Sequence, residues 1–550
     1  MISEILKENK NCWKITRAKR AAFLIDGKEY FKAVYEAFCL AKKSIFIIGW
    51  DIHSELELIR DADTNRKNES ESFPFKLGQL LIALTKSRPE LNIYVLDWDF
   101  AMIYAMEREL FPYFKPYWHC CDRLNFSLDG EHPIGASQHQ KIVVIDDCLA
   151  FSGGLDLTKC RWDTSEHFAE DDRRTDPEGN LYPPFHDVHF VVEGEPANAL
   201  GELARERWVR AGNSAPVALS ESASADIWPA SVKPALKNIK IGIARTFPEY
   251  NNQKEIREVE TLYIDSIRAA KNFIYIENQY LSSEIIKNTL IKKLEEEQGP
   301  EIIIVLPEKI TGWLEHNTMD VIRSKLLKAL TDADKHHRLR IFYVRLSQKP
   351  HLSLMIHGKV MIIDDRFARV ASSNLSNRSM GLDSECDLAI ESTDSEPCTA
   401  QIKRFRQTLI AEHLDKTIDE VTKAEHEKNS LSEAIESLQG NNHSFIELDF
   451  DPNPDIEIYV PDTNLLDPEK PVKPEEFFAQ VFSSDKPPGA FKFWLKSGIF
   501  LLALLIMITI WHATPASEYL NPKKLVIVGN WLDKQPMTPV LVICGYMLAS

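Results

Sequence analysis

The chain has 550 residues, 44% apolar and 27% charged, which is the make-up of a folded protein of several domains and excludes a largely disordered one. A formal charge of −17 argues against a general nucleic-acid coat, whose surface would be basic, but leaves room for a local basic pocket. Nine scattered cysteines, with only Cys120 and Cys121 adjacent, exclude a disulfide scaffold and indicate a reducing compartment.

In chain order, Met1–Arg20 is polar and has no apolar h-region, so no secretory signal is expected. Residues 33–50, AVYEAFCLAKKSIFIIGW, predict a helix and then a strand. NIYVLD at Asn92–Asp97 and HQKIVVIDD at His139–Asp147 predict further strands. The same order then returns as VETLYIDSIRAAKNFIYI at residues 259–276, EIIIVLP at Glu301–Pro307 and HGKVMIIDD at His357–Asp365. The expected organisation is two similar α/β lobes, 1–232 and 233–415, joined through the Ser-, Ala- and Pro-rich stretch Ala211–Lys237.

Residues 416–490 read as a connector: a charged surface helix at Thr417–Leu438, then an acidic, Pro-rich segment with one strand-like stretch, EIYVPD. Residues 491–513 predict a transmembrane helix. Trp494 and Trp511 stand near its ends, and Lys492 and Lys496 can snorkel to lengthen the span to about 20 residues. Lys486, Lys492 and Lys496 modestly favour a cytoplasmic N-terminal side. A second apolar run opens at Pro539, within 514–550.

Each lobe carries the pattern H-x-K-x4-D: His139, Lys141 and Asp146, then His357, Lys359 and Asp364. Residues i and i+2 of a strand share a face, so each His–Lys pair points into one pocket, while the aspartate falls at the turn beyond. Two such matches at equivalent places in a repeat carry far more weight than either alone. Each is followed by a small-residue turn, Gly153-Gly154-Leu155-Asp156 and Ala371-Ser372-Ser373-Asn374. Small residues let backbone N–H groups approach an anion, so Gly153, Gly154, Ser372, Ser373 and Asn374 are candidate phosphate ligands.

These paired motifs resemble those of the phospholipase D superfamily, H-x-K-x4-D-x6-G-S/G-x-N/D. IGWDI (Ile48–Ile52), SGGLDLTKCRWD (Ser152–Asp163), PFHDVH (Pro184–His189), YIENQY (Tyr275–Tyr280) and SNRSMGLDSECDLAI (Ser376–Ile390) are similar to its eukaryotic-type branch and bacterial relatives. The similarity covers about residues 20–415. Two departures stand out: Ala371 replaces the usual glycine, and Asp156 stands where the plain pattern has asparagine. An anion there would repel phosphate, so Asp156 is expected to be structural or turned away.

The resemblance implies two sandwich-like α/β lobes of phospholipase D type forming one active site at their interface within a single chain. It implies a phosphodiesterase that cleaves a phospholipid to phosphatidic acid and an alcohol, with possible transphosphatidylation. His139 is then the nucleophile and His357 the general acid and base, Lys141 and Lys359 bind phosphate, and Glu385 and Asp187 orient His139 and His357 from across the interface. Asp146 and Asp364 complete the six motif residues and are expected to buttress the fold. No cofactor or metal is implied; Asp171, Asp172 and Asp176 read as an acidic surface loop.

A cardiolipin synthase-like phosphatidyltransferase is the nearest alternative and a nuclease a more distant one; no nucleic-acid partner is expected. Residues 514–550 resemble the opening of a DedA/VTT-type membrane domain, truncated here. The expected location is the inner (plasma) membrane with the lobes cytoplasmic; oligomeric state stays open. His119, Cys120 and Cys121 lack zinc-site spacing and read as core or loop. His351 stands near the pocket rim. Trp98, Tyr104, Phe111, Tyr113, Phe114, Tyr117 and Trp118 are expected mostly in the core, with some at a membrane-facing rim.

Overall fold

The computed structural model describes residues 4–60, 73–99, 108–109, 115–217, 226–309, 313–346, 352–392, 396–440, 442–449 and 467–471. All elements below belong to one compact unit, residues 1–99 and 111–471; a second unit, 100–110 and 472–550, lies almost wholly outside the described residues. The expected transmembrane helix at 491–513, the DedA/VTT-like segment, the EIYVPD stretch, His351, Tyr104, Phe111, Tyr113 and Phe114 also lie outside them. Among the described residues no helix is long and apolar enough to cross a membrane.

The first lobe runs β1 (Lys14–Ile25), α1 (Asp26–Leu40), β2 (Ser44–Gly49), α2 (Leu77–Ser87), β3 (Asn92–Trp98), β4 (Leu124–Asp129), β5 (Ile142–Ile145), β6 (Leu149–Gly153), β7 (Phe185–His186), β8 (Val188–Gly194) and α3 (Glu195–Arg210). The second runs β9 (Leu236–Phe247), β10 (Ile256–Arg257), α4 (Glu258–Ala269), β11 (Phe273–Glu277), α5 (Glu284–Glu295), β12 (Glu301–Val305), α6 (Trp313–Ala333), β13 (Leu339–Leu346), β14 (Leu352–Ser353), β15 (Met355–Ile356), β16 (Val360–Ile363), β17 (Phe367–Ala371), α7 (Asn377–Gly381), β18 (Glu385–Glu391) and α8 (Glu396–His413).

Strand pairing makes the repeat explicit. In the first lobe the order is β4-β3-β2-β5-β6-β8-β1; in the second it is β13-β12-β11-β16-β17-β18-β9. β2, β3 and β4 are mutually parallel, as are β11, β12 and β13; their crossover segments hold α2 and, in the second lobe, α5 and α6. β1 and β9 pair antiparallel, Lys14 opposite Ile243 and Ala21 opposite Leu236, and so join the two halves edge to edge.

Apolar runs such as SIFIIG in β2 are buried at every position because both faces are covered. Phe46, Ile48, Tyr275, Ile303, Val360 and Ile362 from both lobes fill a shared central core with side chains of α3 and α8. The opposite faces pack separately, α1 and α2 on the first lobe and α4 and α5 on the second.

The lobe boundaries differ from those expected. Ile5, Leu6 and Cys12 pack into the second lobe's outer core, where the Glu391 carboxylate accepts from the backbone N–H of Ile5 and Leu6. The expected surface helix at 417–438 is two helices, α9 (Ile418–Glu427), opened by a Thr417–Glu420 capping box, and α10 (Leu431–Ser437), capped by Ser430. β19 (His443–Glu447) then pairs with β13, so the second lobe's sheet extends past residue 415. Asp467 accepts from Asn377 N–H, Arg378 N–H and Ser282 Oγ, anchoring the start of α7.

Candidate active site

Each motif histidine lies just ahead of a central strand, β5 or β16, and its backbone pairs with the opposite lobe. His139 N–H donates to Ser384 O at 3.0 Å, and His357 N–H donates to His186 O at 2.8 Å. The residue after each acceptor is the carboxylate facing that histidine. Glu385 places both oxygens 3.1 Å from His139 Nδ1, and Asp187 Oδ2 lies 2.5 Å from His357 Nδ1. One backbone pairing thus sets both the main-chain contact and the ion-pair partner, once on each side of the repeat. Among the described residues neither Nε2 has a protein hydrogen-bond partner, so both remain available to a ligand.

The lysines are both buried, yet held differently. Lys141 Nζ lies 2.9 Å from Asp156 Oδ2 and donates to His139 O at 3.1 Å. Asp156 Oδ1 also accepts from Trp50 N–H. The departure at position 156 is therefore a counter-ion to a motif lysine. Lys359 Nζ donates to His357 O at 2.6 Å and lies 3.1 Å from His357 Nδ1, with no carboxylate partner among the described residues. Burial pulls this ammonium down to about 7.

The remaining groups respond to the same enclosure. Burial, reinforced by Lys141 and Lys359, holds His139 well below its ordinary value. Burial and then Lys359, Arg161 and Lys141 do the same to His357. Burial raises Asp187 and Glu385 to about 7 each, against the opposing effect of the lysines. The pocket thus gathers two lysines and two imidazoles beside three carboxylates, Asp156, Asp187 and Glu385.

Arg161 was not among the residues expected here. It lies in the RWD part of the first lobe's long motif, its guanidinium 4.9 Å from the Phe185 ring, and makes no ion pair among the described residues. Its position in that motif was the available signal; the missing information was that its charge reaches His357 and Lys359.

The other motif residues contact the backbone or the carboxylates. Asp146 and Asp364, counted with the catalytic motifs, sit beyond the far end of a four-residue strand from their histidines. Asp146 accepts from Lys42, Lys43 and Ser44 N–H; Asp364 accepts from Lys271, Asn272 and Phe273 N–H. Each therefore ties the end of its lobe's first helix to the next strand, the buttressing place expected of it.

A Cβ on Gly154 would stand 2.1 Å from Asp187 Oδ1, and one on Gly153 would stand 2.6 Å from Val188 O. These glycines leave room for Asp187 and its strand. Ser372 Oγ donates to Glu385 Oε2, and Ser373 Oγ donates to Asp387 Oδ2 at 2.7 Å, both hydroxyls fully buried. Asn374 keeps a buried Oδ1 with no hydrogen-bond partner.

Outside the pocket, Trp98 and Trp118 are core residues, Tyr117 is half-buried and Cys120 is exposed. Asp171 pairs with Arg173, and Asp176 accepts from Asn180 N–H and Nδ2–H, as an ordinary surface loop does.

Two mirrored lobes closing on a histidine–lysine pair from each define a phospholipase D-type architecture. The family model described as phospholipase D matches residues 37–317, and that described as cardiolipin synthase, PLD-like domain, matches 263–409; the chain belongs to the phospholipase D family. It is similar to phospholipase D alpha 3 of Arabidopsis thaliana, 24% identical over 527 residues, covering 70% of this chain and 63% of that protein. Phospholipase D alpha 1 of Carica papaya is 25% identical over 537 residues, with 71% and 65% covered. The chain thus spans slightly under two thirds of the length of these relatives. Among solved structures, phosphatidylserine synthase of Haemophilus influenzae Rd KW20 aligns with a TM-score of 0.47 and 13% identity, over 71% of this chain and 86% of that one.

Proposed function

We propose that the chain is a phospholipase D-type phosphodiesterase that converts a phospholipid to phosphatidic acid and a free alcohol through a phosphohistidine. The observation that carries this reading is the pair of imidazoles, one per lobe, each with Nδ1 held by a carboxylate and Nε2 free.

A phosphodiester's own charge repels anionic nucleophiles, whereas a neutral imidazole can approach it. His139 Nε2 attacks phosphorus, the bond to the headgroup oxygen breaks, and that oxygen takes a proton from His357 Nε2–H. Water then gives a proton back to His357 as its oxygen attacks phosphorus and the P–N bond breaks. Lys141, Lys359 and Arg161 stabilise charge on the non-bridging oxygens. Burial and then the neighbouring cations hold His357 low; arrival of the phosphate opposes the second of these and so shifts His357 toward the protonated acid.

If an alcohol replaces water, the same intermediate yields a new phosphodiester. The match of residues 263–409 to the cardiolipin synthase-type model favours keeping this phosphatidyltransferase outcome as the second reading. The test is turnover of phospholipid vesicles with and without a primary alcohol, for wild type, His139→Ala and His357→Ala. Release of headgroup with an alcohol-dependent second product is expected, and its loss in both variants; an unaffected double variant overturns the mechanism. Turnover of oligonucleotides in place of lipid would instead support a nuclease.

In this reading residues 491–513 hold the lobes at the cytoplasmic face of the membrane that supplies the substrate. Extraction of the full chain from membranes by alkaline carbonate would overturn that placement.

A further inference from the structure

Directly behind His357 lies a second constellation that the proposed reaction does not use. Asp26 from α1, His167 from the loop after the RWD segment, His186 from β7 and Glu412 from α8 bring one donor atom each to within 4.8 Å of one another. His186 Nδ1 is 3.0 Å from Asp26 Oδ1 and 2.8 Å from Glu412 Oε1. His167 Nε2 is 3.2 Å from Glu412 Oε1 and 3.6 Å from Asp26 Oδ2. We propose that these four residues bind a divalent transition-metal ion of the zinc class, which clamps the two lobes together behind the active site.

Donor spacing supports this. Four ligands about 2.0–2.1 Å from a tetrahedral zinc ion stand about 3.3 Å apart; here Glu412 Oε1 lies 2.8 Å from His186 Nδ1 and 3.2 Å from His167 Nε2, and each imidazole nitrogen lies 3.0–3.6 Å from one oxygen of Asp26. Two imidazoles and two carboxylates also suit zinc in ligand type.

The outer contacts point the same way. The far nitrogen of each imidazole faces a further carboxylate: His167 Nδ1 lies 2.9 Å from Asp163 Oδ2, and His186 Nε2 lies 3.0 Å from Glu277 Oε2. This is the carboxylate–histidine–metal arrangement, in which the outer acceptor fixes the tautomer that presents a lone pair to the ion. Independently, Asp26 Oδ2, in a residue only 1% exposed, has no hydrogen-bond partner and is directed toward His167.

Charge balance gives the physical reason. Among the described residues Asp26, Glu277 and Glu412 have no lysine or arginine partner; Asp163 has Arg174 at 3.0 Å. A divalent ion held by the two imidazoles would supply the positive charge that no lysine or arginine brings to these carboxylates.

The feature is also one-sided. Glu277 sits opposite Val360 where Ile48 sits opposite Ile142 in the other lobe, and Ser384 holds the position of His186. There Arg207, bonded to Gln140 Oε1 and paired with Asp129, supplies the cation. A cavity of about 420 Å³, lined in part by Glu29, Thr164, Asp26 and Glu412, offers an ion a way in.

The test is metal content of the full chain, purified without chelator or metal-affinity resin, so its outcome is separate from that of the lipase reading. About one zinc per chain is expected, removed by dipicolinate with a fall in Tm that Zn²⁺ reverses and Mg²⁺ does not. His167→Ala should hold less than about a tenth of an ion per chain; Glu412→Gln serves if that variant does not fold. Asp163→Asn, which keeps all four ligands, should weaken zinc affinity about 10- to 100-fold. Wild type without metal from zinc-supplemented cells, with a Tm that Zn²⁺ leaves unmoved, overturns the proposal. Full zinc retention in folded His167→Ala also overturns it, by placing the ion elsewhere.

Discussion

His357 Nδ1 and Asp187 Oδ2 are 2.5 Å apart, and the two residues come from different lobes. The link is built into the backbone, because His357 N–H bonds to the carbonyl of His186, the residue immediately before Asp187. His139 repeats this with Ser384 and Glu385. Neither lobe alone can hold its own histidine in a defined tautomer.

Asp187→Asn keeps the shape of the acceptor and removes its charge. The imidazolium that forms at His357 then loses its counter-ion, and kcat on phospholipid vesicles should fall by about 10²–10⁴. KM should change little, because Asp187 does not face the ligand side of the ring. A kcat within twofold of wild type would show that the pairing is not used in turnover.

Gly154→Ala places a methyl group 2.1 Å from the present position of Asp187 Oδ1. The carboxylate must move, so kcat should fall about 10-fold or more without any change in the reacting groups. Steady-state kinetics alongside thermal melting separate this from unfolding: a normal kcat in Gly154→Ala would mean that Asp187 has room to spare.

Ser372→Ala distinguishes a phosphate ligand from a support for Glu385. Because its hydroxyl donates to Glu385 and is fully buried, the loss should appear in kcat, by about 10-fold, with KM nearly unchanged. A large rise in KM alone would return Ser372 to the phosphate.

Free-enzyme activity should peak near pH 7. Asp187 and Glu385, each raised to about 7, must be ionised to accept from the histidines, so kcat/KM falls on the acid side. Lys359, lowered to about 7, must be protonated to bind phosphate, so it falls on the alkaline side as well. For stability the signs follow from proton counts. The folded state retains protons on the two carboxylates that the unfolded chain has lost, so their contribution declines as pH rises from about 4 to about 7. Lys359 binds fewer protons when folded, so its contribution rises with pH between about 7 and 10.5. A pH series of kcat/KM tests the activity profile, and a broad plateau from pH 5 to about 9 would contradict it.

Asp146→Asn and Asp364→Asn should destabilise without altering chemistry. Each removes a charged acceptor of three backbone N–H groups, at a cost of about 2–3 kcal/mol in urea unfolding. The kcat of the folded fraction should stay near wild type; a selective loss of kcat at unchanged stability would give these aspartates a part in turnover.

Much of the fold was legible because the repeat appears twice. Apolar runs such as IVVI and VMII had to be buried strands, and Asp146-Asp147 and Asp364-Asp365 mark the same left-handed turn, with φ near +50° in all four residues. The extension of the second lobe by β19 was not legible, since HSFIE is short and its pairing with β13 depends on an open sheet edge that no local pattern reveals. Arg161 and the Asp26–His167–His186–Glu412 cluster were hidden for a related reason: long-range charge and convergence leave no spacing in the chain.

By itself the sequence determined two α/β lobes and a histidine–lysine pair in each, because strand periodicity forces residues at i and i+2 onto one face. Tertiary structure decided which carboxylate faces which histidine, that Asp156 pairs with Lys141, that Ser372 bonds to Glu385 and that Gly154 leaves room for Asp187. The physical reason is that the antiparallel pairing of β1 with β9, and the strand contacts ahead of each histidine, carry parts of one lobe into the other. Such contacts join residues about 170 to 250 positions apart, a separation that periodicity within either segment cannot encode.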